Sequence, residues 1–452
     1  MPGLGLGLDQ NSALMLYAAG IVACLLSIFW RPPVGLYYII LTLPLQTVRY
    51  RMHQYPLGQS ILDIVLLGVI IGLYARKGSG PLFPKTTMDK VLVIFIFFYY
   101  VSLWRGAFYL GGELPFFITD LRFSDWKNYV ELPLFFFVTA AVIKTPKQMK
   151  IVVLLMCVTT LMVNRGYYNT VSGRDFSHFA YNLRFAGTLG YAGENGLAAF
   201  EGQILLFLLG IYASLKKWLI KIPLVVVMVT CGYCLVYSFS RGAYFAVLVG
   251  LLYLGVVKKR SLVLLCLALL ISWQSILPRS AQERLKMTYT DGQVDSSSEE
   301  RLDIWADAME VIRANPLIGT GYDTYQFMGR VGPYRDTHNL YMKVLLETGI
   351  FGLLLMVVLM KKSYSLGWSL SRRAHDPFIA SIGMGFAAVM VCAILINIFG
   401  DRWTYQQVNG YLWIMMGCVA RGHILTAEAV GSNTAVEPNA EPVSEEHAAV
   451  AL

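Results

Sequence analysis

Charge is what this sequence has least of. Only 14% of its 452 residues are Asp, Glu, Lys or Arg, where a soluble chain of ordinary composition carries about 25%. That scarcity excludes a soluble globular protein. Cysteine is sparse and unorganised. Seven are scattered along the chain, and the one C-x-x-C pair, Cys231 and Cys234, lies inside the apolar run IPLVVVMVTCGYCLVY with no further ligand types nearby. This excludes a disulfide framework and a zinc site. The first apolar run lacks a basic leader and a small-residue cleavage site, so it reads as a retained helix and not a cleaved signal. No stretch interleaves aromatic with basic residues as a nucleic-acid groove would, which excludes a nucleic-acid partner.

What is present is apolar length. Hydrophobic residues make up 56% of the chain, and several runs approach the ~20 residues that span a bilayer. Thirteen runs qualify: 13–30, 34–48, 59–75, 90–104, 129–143, 149–163, 195–215, 218–237, 242–257, 261–277, 339–360, 378–399 and 405–420. The expected fold is an all-α polytopic membrane protein of about 12–13 transmembrane helices. Three regions follow: N-terminal transmembrane helices over 1–163, a central membrane region over 164–426, and a small-residue, acidic, Pro-containing tail over 427–452. The tail cannot bury enough apolar surface to fold and is expected to be disordered and cytoplasmic.

The net charge of +9 is distributed by topology. Thirteen of the sixteen Lys sit in alternate loops, around Lys77–Lys90, Lys144–Lys150, Lys216–Lys221, Lys258–Lys259 and Lys361–Lys362. Short Lys/Arg-rich loops face the cytoplasm. The intervening loops then lie outside, including one of about sixty residues, 278–338, long enough to suggest a function. These outer loops favour Arg over Lys: Arg165, Arg174, Arg184, Arg241, Arg279, Arg284, Arg301, Arg313, Arg330 and Arg335. Arg presents a planar fork of donors that suits phosphate, so an anionic ligand is expected on that face. Anchoring of individual arginines in lipid headgroups is the plainer alternative. Within the long loop, Ser297 and Glu300 form a capping-box pattern. Ile304, Trp305, Ala308, Met309 and Ile312 then recur at helical spacing. An amphipathic helix is expected over 298–314, stopped by Asn315-Pro316, its stripe packing on the membrane interface or the bundle top.

Three polar clusters reach the outer face from distant runs. LRFAGTLGYAGENGLAAF holds Arg184, Glu194 and Asn195. SFSRGAYF holds Arg241. YRDTHNLYMKVLLETG holds His338. A neutral imidazole at a helix N-terminus is a competent general base, or else a simple cap. Asn339, Lys343 and Glu347 follow at four-residue spacing on one helix face. Charges inside a span usually mark function, and a Lys343–Glu347 pair is an equal alternative.

These blocks, R-F-A-G-T, S-F-S-R-G, R-L-D-I-W-A-D-A-M-E-V-I-R-A-N-P-L-I-G-T-G-Y-D-T-Y and T-H-N-L-Y-M-K-V-L-L-E-T-G, resemble the O-antigen ligase/polymerase superfamily of bacterial membrane glycosyltransferases over roughly residues 180–360. The Gly-Glu-Asn at 193–195 departs from the family's Asn-Pro-Asn. The resemblance implies a GT-C-like bundle with a large periplasmic loop, in the bacterial inner membrane. It implies an undecaprenyl-pyrophosphate-linked glycan as donor, and metal-independent, inverting transfer to an acceptor hydroxyl at the periplasmic face, with no cofactor. It assigns Arg184 and Arg241 to the pyrophosphate and His338 to the acceptor; Arg335, Asn339, Asn195 and Tyr341, near these residues in sequence, are the expected substrate-binding residues. Arg335 and Asp336, beside His338 in sequence, are further candidates to orient it or to bind phosphate. A ligase acting on lipid A-core is the first reading. A polysaccharide polymerase and a protein O-oligosaccharyltransferase share the same donor chemistry. A lipid-glycan transporter and a non-catalytic envelope scaffold are the readings from other classes.

Overall fold

The computed structural model describes residues 10–117, 120–287, 289–290, 293–294, 296–330 and 336–436. The described chain is predominantly helical, and the protein is an all-α polytopic membrane protein. Its helices are α1 (Gln10–Phe29), α2 (Pro33–Thr42), α3 (Gln46–Met52), α4 (Ile61–Ala75), α5 (Asp89–Leu110), α6 (Leu121–Val142), α7 (Pro146–Val171) and α8 (Gly193–Tyr212). After these come α9 (Trp218–Tyr237), α10 (Arg241–Val257), α11 (Ser261–Ile276), α12 (Arg279–Lys286), α13 (Ser296–Ala314), α14 (Leu340–Arg373), α15 (Pro377–Ile396) and α16 (Gln406–Val436). A two-residue hairpin, β1 (Tyr289–Thr290) against β2 (Gln293–Val294), precedes α13.

Each expected run coincides with helix, but not each is a full span. Seven described helices are long and apolar enough to cross a membrane, or eight if the bent α11–α12 pair is one span. Ala13–Phe29, Pro33–Thr42 and Arg241–Val257 are apolar but shorter. By length and composition alone, fewer described helices qualify than the 12–13 expected, and two physical features account for part of the difference. The run 34–48 is broken at Leu43–Leu45, around Pro44, into α2 and α3, because Pro cannot continue the hydrogen-bond ladder. And α6 keeps polar groups that are satisfied inside the bundle: Lys127 pairs with Asp63 at 2.5 Å, and Glu131 accepts from Gln406. The last helix runs to Val436, into the segment expected as a tail; residues 437–452 lie outside the described residues.

Helix starts follow local chemistry. Thr145 and Gln148 form a reciprocal capping box on α7, with Pro146 at its first position. Asp120 and Asp376 cap α6 and α15. Each side chain satisfies amides that have no intrahelical partner.

The decisive tertiary feature is a break in α14. Gly349 has φ +65° and ψ −168° inside an otherwise continuous helix. The segment 316–321 docks into the gap. Ile350 N–H donates to the Pro316 carbonyl at 2.9 Å and Phe351 N–H to that of Leu317. In return Thr320 and Gly321 N–H donate to the carbonyls of Leu346 and Glu347, at 3.1 and 2.7 Å. A buried break would otherwise leave these backbone groups unpaired. On its other side the segment meets α5, where Tyr322 N–H bonds the Ser102 carbonyl and a Cβ on Gly321 would collide with the Gly106 backbone.

The amphipathic helix expected over 298–314 is α13. Ile304, Ala308, Val311 and Ile312 are buried against Tyr325 and Leu346, with Trp305 beside them, while Met309 turns outward. The stripe therefore packs on the bundle. The Ser297 side chain lies outside the described residues.

Replacing Gly349 by Ala forces a side chain into a left-handed position and against the Leu317 carbonyl. We expect Gly349→Ala to cost on the order of 1–3 kcal/mol, seen as a lowered thermal midpoint in detergent and faster amide exchange at 346–351. An unchanged midpoint would show that the docked segment does not hold α14.

Candidate active site

Five arginines line one cavity: Arg184, Arg241, Arg284, Arg301 and Arg402, together with Asn195, Ser240 and Phe399. Arg184 lies just before α8, Arg241 is the first residue of α10, Arg284 is on α12, Arg301 on α13, and Arg402 sits in the α15–α16 connection. The fold thus gathers cations from separate elements. Arg184 is braced by Glu194 at 2.9 Å and by Asn195 Oδ1 at 3.0 Å. Burial, together with the nearby charges of Arg284 and Arg301, lowers the Arg184 pKa, and Glu194 opposes this. Arg284 lies over the rings of Phe179 and Tyr181, 5.1 and 5.2 Å from their centroids, and donates to the Tyr181 hydroxyl at 3.3 Å. Crowded, half-desolvated guanidinium groups favour an anion between them.

His338 lies outside that cavity lining, on the turn that enters α14. Its backbone is left-handed, φ +50°. Its N–H donates to Asp336 Oδ1 at 2.6 Å, and its Nδ1 lies 3.1 Å from the same oxygen. Burial alone would raise the Asp336 pKa, but hydrogen bonds from His338 and the charges of His338 and Lys343 outweigh it, holding the carboxyl well below its ordinary value. An ionised Asp336 accepts a hydrogen bond from Nδ1–H and leaves Nε2 as the accepting nitrogen, the arrangement of a carboxylate-oriented imidazole. The imidazole is about one-third exposed, so it can meet a substrate.

Two links tie this turn to the arginines. The first is α13. Trp305 Nε1–H donates to the Thr337 carbonyl at 2.8 Å, one residue before His338. One turn earlier on α13, Arg301 reaches the cavity. The second runs through α14, where Lys343 pairs with Asp401 at 3.1 Å. Asp401 also accepts from the amides of Trp403 and Thr404, fixing the connection that carries Arg402.

Several expected residues take other places. Asn339 caps α14, accepting from the amides of Tyr341 and Met342. The Tyr341 hydroxyl points into the bundle and donates to the Ile394 carbonyl at 2.7 Å. Lys343 pairs with Asp401 rather than with Glu347, which accepts from the Asp323 amide at 3.0 Å. Asn195 holds Arg184 as well as lining the cavity. Arg335 lies outside the described residues. Arg402 escaped the sequence reading because a lone Arg in a short connection carries no local pattern. Among the described residues, no group of three or more His, Cys, Asp or Glu is placed to hold a metal ion.

Residues 224–357 match the family model of O-antigen ligases. That segment, less than a third of the chain, is similar to the O-antigen ligase family. The match contains Arg241, Arg284, Arg301, Trp305 and His338; Arg184, Asn195 and Arg402 lie outside it. A search of the curated proteins finds no match. That family implies lipid-linked glycan substrates in general and suggests glycosyltransferase-like chemistry.

Because Trp305 holds the Thr337 carbonyl, Trp305→Phe keeps an aromatic ring while removing the donor and part of the ring bulk. We expect faster amide exchange at 336–339 with a nearly unchanged thermal midpoint, since one net hydrogen bond contributes about 1 kcal/mol. Equal exchange in the variant would rule out this tether.

Proposed function

We propose that the protein transfers a glycan from a polyprenyl-pyrophosphate donor to an acceptor hydroxyl at the periplasmic face of the bacterial inner membrane, and that it is an O-antigen ligase whose acceptor is lipid A-core. The observation that carries this reading is the five-arginine cavity, tied through α13 and through Lys343–Asp401 to a carboxylate-oriented histidine. The matched family supports the substrate class. A lipid-anchored donor also accounts for a site at the ends of membrane helices, since its tail stays in the bilayer.

The chemistry is a displacement at the anomeric carbon. The acceptor oxygen forms the new bond as the bond between that carbon and the pyrophosphate oxygen breaks, and the electron pair leaves with the pyrophosphate. Arg184, Arg241, Arg284, Arg301 and Arg402 supply fixed positive charge where negative charge develops. His338 Nε2 takes the proton of the acceptor hydroxyl, and Asp336 stabilises the imidazolium. Attack opposite the leaving group inverts the anomeric configuration.

Reconstitution in nanodiscs with a lipid-pyrophosphate glycan, with and without lipid A-core, tests this directly. A shifted acceptor band that needs both substrates is expected. A ladder from donor alone would instead make the enzyme a polymerase. His338→Ala and Arg241→Ala should each lower turnover by at least about 10²-fold while leaving membrane expression intact; full activity in both would remove the mechanism. Asp336→Asn should lower turnover by a similar order and alter the pH profile of transfer. Because the Asp336 pKa is held low, its contribution is present above the ordinary carboxylate range and is lost only as pH falls through the depressed value. Activity in the parent should therefore not titrate with Asp336 between about pH 5 and 8.

A further inference from the structure

The face opposite the arginine cavity holds a second cavity, of about 530 Å³, between the start of α5, the far end of α14 and the middle of α16. Its basic lining residues are Lys85, Lys362, Arg373 and His423, joined by Ser365 and Ser369, and no acidic residue lines it. Among the described residues, Lys85, Lys362 and Arg373 form no ion pair, whereas most arginines around the other cavity are braced. His423 is fixed by a 2.9 Å contact between its Nε2 and the Leu366 carbonyl. Apolar Leu366, Ile424 and Met88 complete the lining beneath these groups.

The placement follows from helix length. At 1.5 Å per residue the unbroken part of α14 from Ile350 to Arg373 alone runs about 35 Å, beyond the ~30 Å of a hydrocarbon core. Entered near His338, α14 must leave the core on the Lys-rich side, with its last turns at headgroup level and beyond. On that projecting part Lys362, Ser365, Ser369 and Arg373 recur at three- and four-residue intervals, so they share one face, and that face lines the cavity.

We propose that this cavity binds the phosphate-bearing headgroup of an anionic phospholipid. Several cations with no countercharge, hydroxyl donors, an apolar floor and a position at the membrane boundary are what such a headgroup needs. The site is separate from the donor cavity and stands whether or not the proposed reaction is correct.

Full-length protein in nanodiscs of phosphatidylcholine with a minor fraction of phosphatidylglycerol provides the test, with retained phosphatidylglycerol counted by native mass spectrometry. The parent should retain it. The double variant Lys362→Ala/Arg373→Ala should weaken retention by about tenfold or more. The double variant Lys216→Ala/Lys217→Ala, on the same face but outside the cavity, should behave as the parent. All these side chains are solvent-exposed, so folding is preserved. Equal losses in the two double variants would reduce the effect to general surface charge and overturn the site, as would no loss in either. Inorganic phosphate is added to discs of phosphatidylcholine alone as a second arm. Thermal stabilisation there that vanishes in Lys362→Ala/Arg373→Ala would assign the cavity to a soluble phosphate compound and overturn the lipid.

Discussion

The candidate site depends on one exchange of backbone hydrogen bonds: residues 316–321 docked into the break at Gly349. That exchange fixes two things at once. It sets where α13 ends, and so where Arg301 and Trp305 stand. It also sets the upper half of α14, which carries the His338 turn at its start and Lys343 one turn in. From there the order passes outward. Trp305 holds the Thr337 carbonyl, and Lys343 holds Asp401 and with it the connection bearing Arg402. A charge as buried as Lys343 is tolerated because Asp401 answers it at 3.1 Å; removing either partner alone would strand the other, which costs far more than the pair contributes.

Much of the scaffold was legible in the residues, because span length, capping chemistry and amphipathic period are local. Asp376-Pro377, Thr145-Pro146 and the stripe of α13 start and face as their sequence directs. The break in α14 was not legible. Leu340–Met360 reads as one mostly apolar helical run, and a single Gly inside it is usually tolerated; only the distant Asn315-Pro316 loop, arriving with its own unpaired amides and carbonyls, makes the break favourable. In the same way the partners that Gly319 and Gly321 meet on α14 and α5 are long-range facts.

The site divides along the same line. Arg184, Arg241 and His338 stand out because each interrupts an apolar neighbourhood. Arg402 does not, since a charge in a short connection is ordinary. Asn339 and Tyr341 looked like ligand contacts from their closeness to His338 in sequence. A helix cap and a buried hydroxyl's search for a carbonyl account for both. Proximity along the chain near a helix start is poor evidence of function, because the first turn of any helix recruits polar side chains for its own orphan amides.

The bundle also closes on itself end to end. Arg49 on α3 bonds Gln406 on α16, and the Tyr411 hydroxyl bonds the Ile40 carbonyl, contacts that span 357 and 371 positions. In a chain made from its N-terminus, the early helices must wait in the bilayer for nearly the whole of synthesis before these partners emerge. Arg402 enters with the same late segment. The arginine cavity is therefore among the last parts to be completed, and a nascent chain stopped before the final helix has no finished site with which to act.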